Sequence, residues 1–220
     1  MAPLSADAPT IAANLDRVRS RIDAACERVG RSPGSVSICA ATKYVAAERM
    51  APLLEVGVRI AGENRLQDLI VKQDRFADSF EWHFIGAIQS RKVREIASRV
   101  STIHSLGTES ARDRLAAFDG PTPRVLIQVN IAAEQSKQGV APEALADFIA
   151  GCPIPVAGLM TMPPLAPQPE DARPHFRALA TLAAEHGLKE LSMGTSQDFE
   201  IAVEEGATIV RLGSVLFAAN

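Results

Sequence analysis

The chain lacks any apolar run close to the about 18 residues that a membrane-spanning helix needs, although 47% of its 220 residues are hydrophobic. A soluble protein with a sizeable core is expected, with no membrane partner. It also lacks an excess of basic charge. Lys and Arg number 23 against 26 Asp and Glu, intermixed along the chain. With an isoelectric point near 5.8 there is no basic face for a phosphate backbone, and nucleic acid is set aside as a partner. Cysteine is scarce and unpatterned: Cys26, Cys39 and Cys152 are odd in number and show no CxxC spacing, so neither a disulfide framework nor a zinc site is indicated. They read as small core residues. No basic start resembling a signal peptide precedes Asp7, so a cytoplasmic location is expected. Tandem repeats and low-complexity tracts are missing too, and the length suits one domain over residues 1–220.

What is present is an alternation. Ile11, Leu15, Val18 and Ile22 recur at helical spacing, and Gly30 follows as a stop, predicting a helix over 9–30. Then come short apolar runs, each followed by a helix-like stretch: 36–43, 59–64, 81–86, 101–107, 124–130, 155–162, 190–194 and 208–217. Eight strands alternating with helices, several of them nearly all apolar, predict a parallel sheet covered on its outside, and eight is the number that closes a barrel. The fold expected is a single (β/α)8 TIM barrel with an extra N-terminal helix. An open doubly wound sheet would carry a glycine-rich first turn, yet the first strand runs into ATKYVAAE without a glycine. The stretch 162–174, MPPLAPQPEDARP, is predicted to be a surface loop of little helical propensity.

In such a barrel the active site lies at the carboxyl ends of the strands. Those ends are polar here: Lys43, Asn64, His83, Ser105, Asn130, Ser192 and Arg211. A lysine closing an apolar strand is partly desolvated, which favours the neutral amine and imine formation. The alternative is a rim lysine paired with Glu63. After the seventh strand, Gly194 to Asp198 lead into a helical pattern, with Ser196 as candidate N-cap beside free N–H groups. After the eighth, Gly213 and Ser214 allow close backbone approach, and these two loops are where barrels hold phosphate. An ordinary cap and an ordinary bend are the competing readings. Arg211 and Gly213 share a face by strand alternation, so Arg211 could meet the ring of a phosphate-bearing ligand, or bridge to Glu204 or Glu205 at the rim.

These residues carry a resemblance to the pyridoxal phosphate homeostasis proteins, relatives of the N-terminal barrel of alanine racemase. It runs through ATK at 41–43, GENRLQD at 62–68, EWHFIGAIQSRK at 81–92, VLIQVNIAAEQSKQG at 125–139, GLMTM at 158–162, LSMGTSQDFEIAVEEG at 191–206 and VRLGSVLF at 210–217, nearly the whole chain. The resemblance implies that pyridoxal 5′-phosphate (PLP) forms a Schiff base on Lys43, that Asn64 lies beside its ring, that Arg211 faces the ring nitrogen, and that Ser196, Gly213 and Ser214 hold the phosphate. His83, Ser192 and Gly194 complete the candidate cofactor-binding set. A methionine is usual where Thr195 stands, a proline usually follows the lysine, and the tail LFAAN departs from the pattern, which bears on the phosphate loop. Lys137 falls in the SKxG segment and is a candidate second amine.

The resemblance implies a binding protein that stores PLP and delivers it to PLP-dependent apo-enzymes, without robust catalysis. The enzyme alternative is an amino-acid racemase of low activity, which needs a second acid/base across the ring from the lysine. Alanine racemase takes a tyrosine for this from a further domain across a dimer. This chain has one tyrosine, Tyr44, which strand alternation would turn away from the site. A monomer is expected, since the domain that builds the racemase dimer is missing. His83 could substitute, or be hydrogen-bonded within the barrel top.

Overall fold

A computed structural model of the chain describes residues 6–133, 138–165 and 167–218. Its eight parallel strands pair in sequence order and β1 closes on β8. The strands are β1 (Ser37–Ala41), β2 (Ile60–Glu63), β3 (Glu81–Phe84), β4 (Thr102–Leu106), β5 (Arg124–Gln128), β6 (Val156–Met160), β7 (Glu190–Ser192) and β8 (Ile209–Leu212). The helices are α1 (Ala8–Arg28), α2 (Ala51–Glu55), α3 (Leu66–Phe76), α4 (Val93–Ala97), α5 (Glu109–Ala116), α6 (Leu145–Ala150), α7 (Arg173–Glu185), α8 (Phe199–Glu204) and α9 (Ser214–Phe217). The (β/α)8 barrel with its extra N-terminal helix is as the sequence predicts.

Alternation along each strand divides the barrel into two layers. Ala40, Ala61, Trp82, Phe84, Ile103, Val125, Ile127, Leu159, Leu191, Val210 and Leu212 point outward and pack on the helices in one apolar cluster. The other set points into the barrel, where the apolar Leu126, Met160 and Ile209 share the space with His83, His104, Ser192 and Arg211, all buried. One outward position departs from this pattern. Glu63 ends β2 fully buried against α3, where Lys72 donates to its carboxylate and to the Thr42 carbonyl, and the Thr42 hydroxyl donates to it as well. Burial pushes the Glu63 carboxyl up, and the Lys72 ammonium acts against that.

Helix α1 begins at a cap in which the Thr10 N–H donates to the Asp7 carboxylate at 2.9 Å. Its buried face, Ile11, Leu15, Val18 and Ile22, is the predicted one. From the same helix, Asn14 donates to the carbonyls of Leu216 and Ala218 at 3.1 and 2.9 Å, which fastens the end of the barrel to its beginning.

Two predictions are corrected. The apolar run 208–217 is not one strand: β8 stops at Leu212, and residues 214–217 form α9, because the chain turns at Gly213. The proline-rich stretch is irregular only at first. A 3-10 turn spans Pro169–Ala172 and α7 starts at Arg173 with Pro174 in its first turn, where a missing N–H costs nothing.

Candidate functional site

The ends of β1 and β8 are neighbours on the upper rim. β1 ends at Ala41, and Lys43 follows in a tight turn in which the Val45 N–H donates to the Thr42 carbonyl at 2.7 Å. The Lys43 side chain is exposed, so the partial desolvation expected of it is corrected: it rises from a turn beyond the strand. The pairing with Glu63 is not made, since that carboxylate is taken by Lys72 on the helix side. Alternation no longer governs Tyr44 either. Its exposed ring has its centroid 5.0 Å from Lys43 Nζ.

The loop after β7 turns at Gly194, which has φ +90 and would, with a Cβ, meet Ala202 Cβ at 2.6 Å. Only glycine fits there without a shift. Asp198 then accepts from the Thr195 N–H at 2.6 Å and from the Thr195 hydroxyl at 3.0 Å. Helix α8 starts at Phe199 after Asp198, so Ser196 is not its N-cap. The Ser196 oxygen instead accepts from the N–H groups of Gly213 and Val215 at 3.2 and 3.3 Å. Two backbone donors of the β8 loop thus converge on one oxygen position facing the β7 loop. Ser214 is exposed beside them. A Cβ on Gly213 would lie 3.3 Å from the Ala41 carbonyl, which measures how closely this donor pair adjoins the end of β1, and with it Lys43.

Arg211 lies below this rim, 5% exposed, and opposite Cys39 in register. It does not bridge to Glu204 or Glu205, which pair with Arg28, Arg173 and Arg177 on the outer surface. Its Nη1 donates to the Ser192 carbonyl at 2.7 Å and hydroxyl at 2.6 Å, and its Nη2 to the Thr161 carbonyl at 2.9 Å. All three acceptors are neutral. Among the described residues no carboxylate forms an ion pair with it, and burial pulls its pKa down to about 10. Cys39, which faces the same interior, is pushed up to about 12 by burial, an inert thiol.

His83 does not reach the rim. It is 1% exposed and pairs in register with Thr102 at the start of β4, so it occupies the lower half of the barrel. Its Nε2 lies 3.0 Å from Glu81 Oε1 and its Nδ1 2.9 Å from His104 Nε2. His104 Nδ1 in turn lies 2.7 Å from the Ser192 hydroxyl. Ser192 is therefore bonded to Arg211 and His104 within the barrel. The sequence reading missed His104 and Glu81. A signal existed for both: His104 interrupts the buried run TIHSL, and Glu81 shares a strand face with His83 by the two-residue period.

Asn64 follows β2, and its backbone is so close to Gly86 that a Cβ there would stand 2.2 Å from the Asn64 carbonyl oxygen. Ser105 donates to the Gly86 carbonyl and steadies that rim segment. Lys137 lies outside the described residues.

No protein-family model matches the chain. Solved structures do. The chain is similar over its whole length to alanine racemase from Corynebacterium glutamicum, at 18% identity and a TM-score of 0.72, the match taking up 64% of the racemase. At that identity the likeness defines a class by fold: a barrel of the alanine racemase type. The structure of PipY from Synechococcus elongatus with PLP bound matches at 30% identity and TM-score 0.77, covering 94% of this chain and 100% of PipY; the structure without PLP gives 31% and 0.81 over the same shares. In sequence, the pyridoxal phosphate homeostasis protein of Aquifex aeolicus is 42% identical over 217 residues, 92% of this chain and 95% of the relative. That of Pseudomonas aeruginosa is 40% identical over 223 residues, 96% of each chain. The chain belongs to the pyridoxal phosphate homeostasis protein family.

Proposed function

We propose that this protein binds PLP at the upper rim of the barrel, holds it reversibly on Lys43, and serves PLP homeostasis by storage and delivery without robust catalysis. When bound, PLP supplies an aldehyde that condenses reversibly with a lysine amine. The observation that carries the reading is the adjacency of the β1 and β8 ends: the exposed Lys43 amine rises from one, and the Gly213 and Val215 N–H groups, which here donate to the Ser196 hydroxyl oxygen, converge at the other. A phosphate needs such donors, and the donor set fits one. Ser196 and Ser214 would add hydroxyls to it, while Gly194 lets the β7 loop turn beside them. A buried guanidinium that forms no ion pair with a carboxylate among the described residues is a second supporting feature, since Arg211 has a charge and donors to offer an aromatic ring nitrogen. Ser192 orients Arg211 from below, and Asn64, just after β2, would lie beside the ring. PLP bound in the homologue PipY and the names of the curated relatives support the same reading.

Against racemisation stands the placement of the acid/base candidates. A second proton-transfer group belongs across the ring from the lysine. Tyr44 packs against Lys43 itself, and His83 is bonded to Glu81 and His104 deep in the barrel. No helix among the described residues is long and apolar enough to cross a membrane. The test is titration of the full chain with PLP, read by visible absorbance, for the wild type and Lys43→Ala. Saturable absorbance in the wild type and its loss in the variant are expected; equal absorbance in both would overturn the site. Exchange of amino-acid α-protons in deuterated water at ordinary enzymatic rates would overturn the non-catalytic reading.

A further inference from the structure

Arg211 can only donate hydrogen bonds and the ionised Glu81 carboxylate can only accept them, and the carboxylate end sets the direction of the bonds between. The Ser192 oxygen accepts from Arg211 Nη1 at 2.6 Å. Its own proton then goes to His104 Nδ1 at 2.7 Å, which places the His104 proton on Nε2. That proton is donated to His83 Nδ1 at 2.9 Å, and His83 Nε2–H donates to Glu81 Oε1 at 3.0 Å. The opposite direction would leave a bare His83 Nε2 lone pair against a carboxylate oxygen. With both histidines neutral, one arrangement satisfies all four contacts, starting at a cation and ending at an anion. Its dipoles add from one end of the chain to the other, as in cooperative hydrogen-bond chains.

We propose that Glu81, His83, His104 and Ser192 form one directed hydrogen-bond chain that positions the Arg211 guanidinium for the cofactor, with His104 as its central positioning residue and Glu81 as counter-charge at the opposite mouth. This deepens, and rests on, the assignment of PLP to the rim at Lys43. The ends differ in exposure as such a link requires: the Glu81 side chain is 47% exposed while that of His83 is 1% exposed, and Arg211 is buried at the far end. Of the other groups facing the chain, Ser101 shares its terminal acceptor, donating to the same Glu81 Oε1 at 3.1 Å, while Arg124 is paired with Glu190 at 2.7 Å and Asp198, felt by Arg211 at longer range, is taken by Thr195. Burial pulls both imidazoles below the ordinary histidine value, most strongly His104, where the charges of Arg211 and Arg124 act in the same direction, while at His83 the Glu81 carboxylate acts against it. The neutral pair is the state that the directed chain needs.

The test has two arms on the full chain. Histidine 15N NMR of the PLP-free protein at neutral pH is expected to find His83 and His104 both as neutral Nε2–H tautomers. An Nδ1–H tautomer at His104, or a charged ring at either, overturns the chain. In the second arm the proteins are saturated with PLP, and its dissociation is followed for wild type, His104→Leu, Glu81→Gln, Arg211→Lys and the double variant with His104→Leu and Arg211→Lys. Losing the link at His104 is expected to speed dissociation about three- to tenfold, with Glu81→Gln weaker but in the same direction. The His104 effect should largely vanish on the Arg211→Lys background, a non-additivity that a purely structural role would not produce. Unchanged dissociation in His104→Leu and Glu81→Gln, with Lys43 still labelled by PLP, overturns the proposal. If His104→Leu does not fold, Glu81→Gln and the tautomer measurement decide. An unlabelled Lys43 with the expected tautomers would overturn the cofactor site alone.

Discussion

The two faces of the same strands handle polarity in opposite ways. On the helix side, the layer from Ala40 to Leu212 is one apolar cluster, interrupted by a compact ion pair in which Glu63 and Lys72 neutralise each other at contact. On the inner side, a cation that no carboxylate among the described residues pairs with is linked through Ser192 and two histidines to Glu81 at the lower mouth. The outer arrangement holds α3 to the barrel, its two charges paired with each other. The inner one leaves Arg211 with charge and donors to spare at the rim. A buried polar group satisfied locally is structural; one left short of a counter-charge at a strand end can serve a ligand.

The sharpest way to break this comparison is to strip one partner from the outer pair. Lys72→Met should cost about 3–5 kcal/mol in denaturant unfolding, because it strands Glu63 in the core, and adding Glu63→Leu should restore much of that loss. The inner chain should instead declare itself through pH. His83 and His104 have folded pKa values below the ordinary histidine value, so the unfolded chain binds more protons as acidity rises. Stability from these groups is full above the ordinary histidine value, about 6.5, and falls as pH drops from there toward the lower folded values. His104→Leu should remove most of that acid-limb slope.

At the rim, Gly194→Ala should lose about 1–3 kcal/mol of stability, and PLP affinity with it, because the left-handed φ and the contact with Ala202 displace the β7 loop. Ser196→Ala should have the smallest effect on the fold, about 1 kcal/mol, measured by thermal unfolding. Its loss in PLP affinity should be the clearer signal, read by titration.

Much of this architecture is legible in the sequence, for reasons that also explain what is not. Runs such as RVLIQ and TIVRL announce strands because both faces of a barrel strand are buried, and their number sets closure. Their ends are less legible. The apolar VLF after Gly213 reads as more strand, yet it packs as α9 under α1, a tertiary preference that periodicity does not encode. Lys43 likewise lies past the end of β1 because the turn at Thr42 ends the strand early. Ser196 is recognisable as a loop hydroxyl, but its partners come from 17 and 19 residues away. The histidine chain is the hardest part, because β4 and β7 are not neighbours in the sheet and meet only across the closed barrel.

The central claim, that Lys43 is the residue on which PLP is held, is tested most directly by saturating the full chain with PLP, reducing with borohydride and mapping the modified peptide. The expected result is one reduced adduct per chain, on the peptide containing Lys43. An unmodified Lys43 after saturation, with the adduct on another lysine or none, would contradict the account.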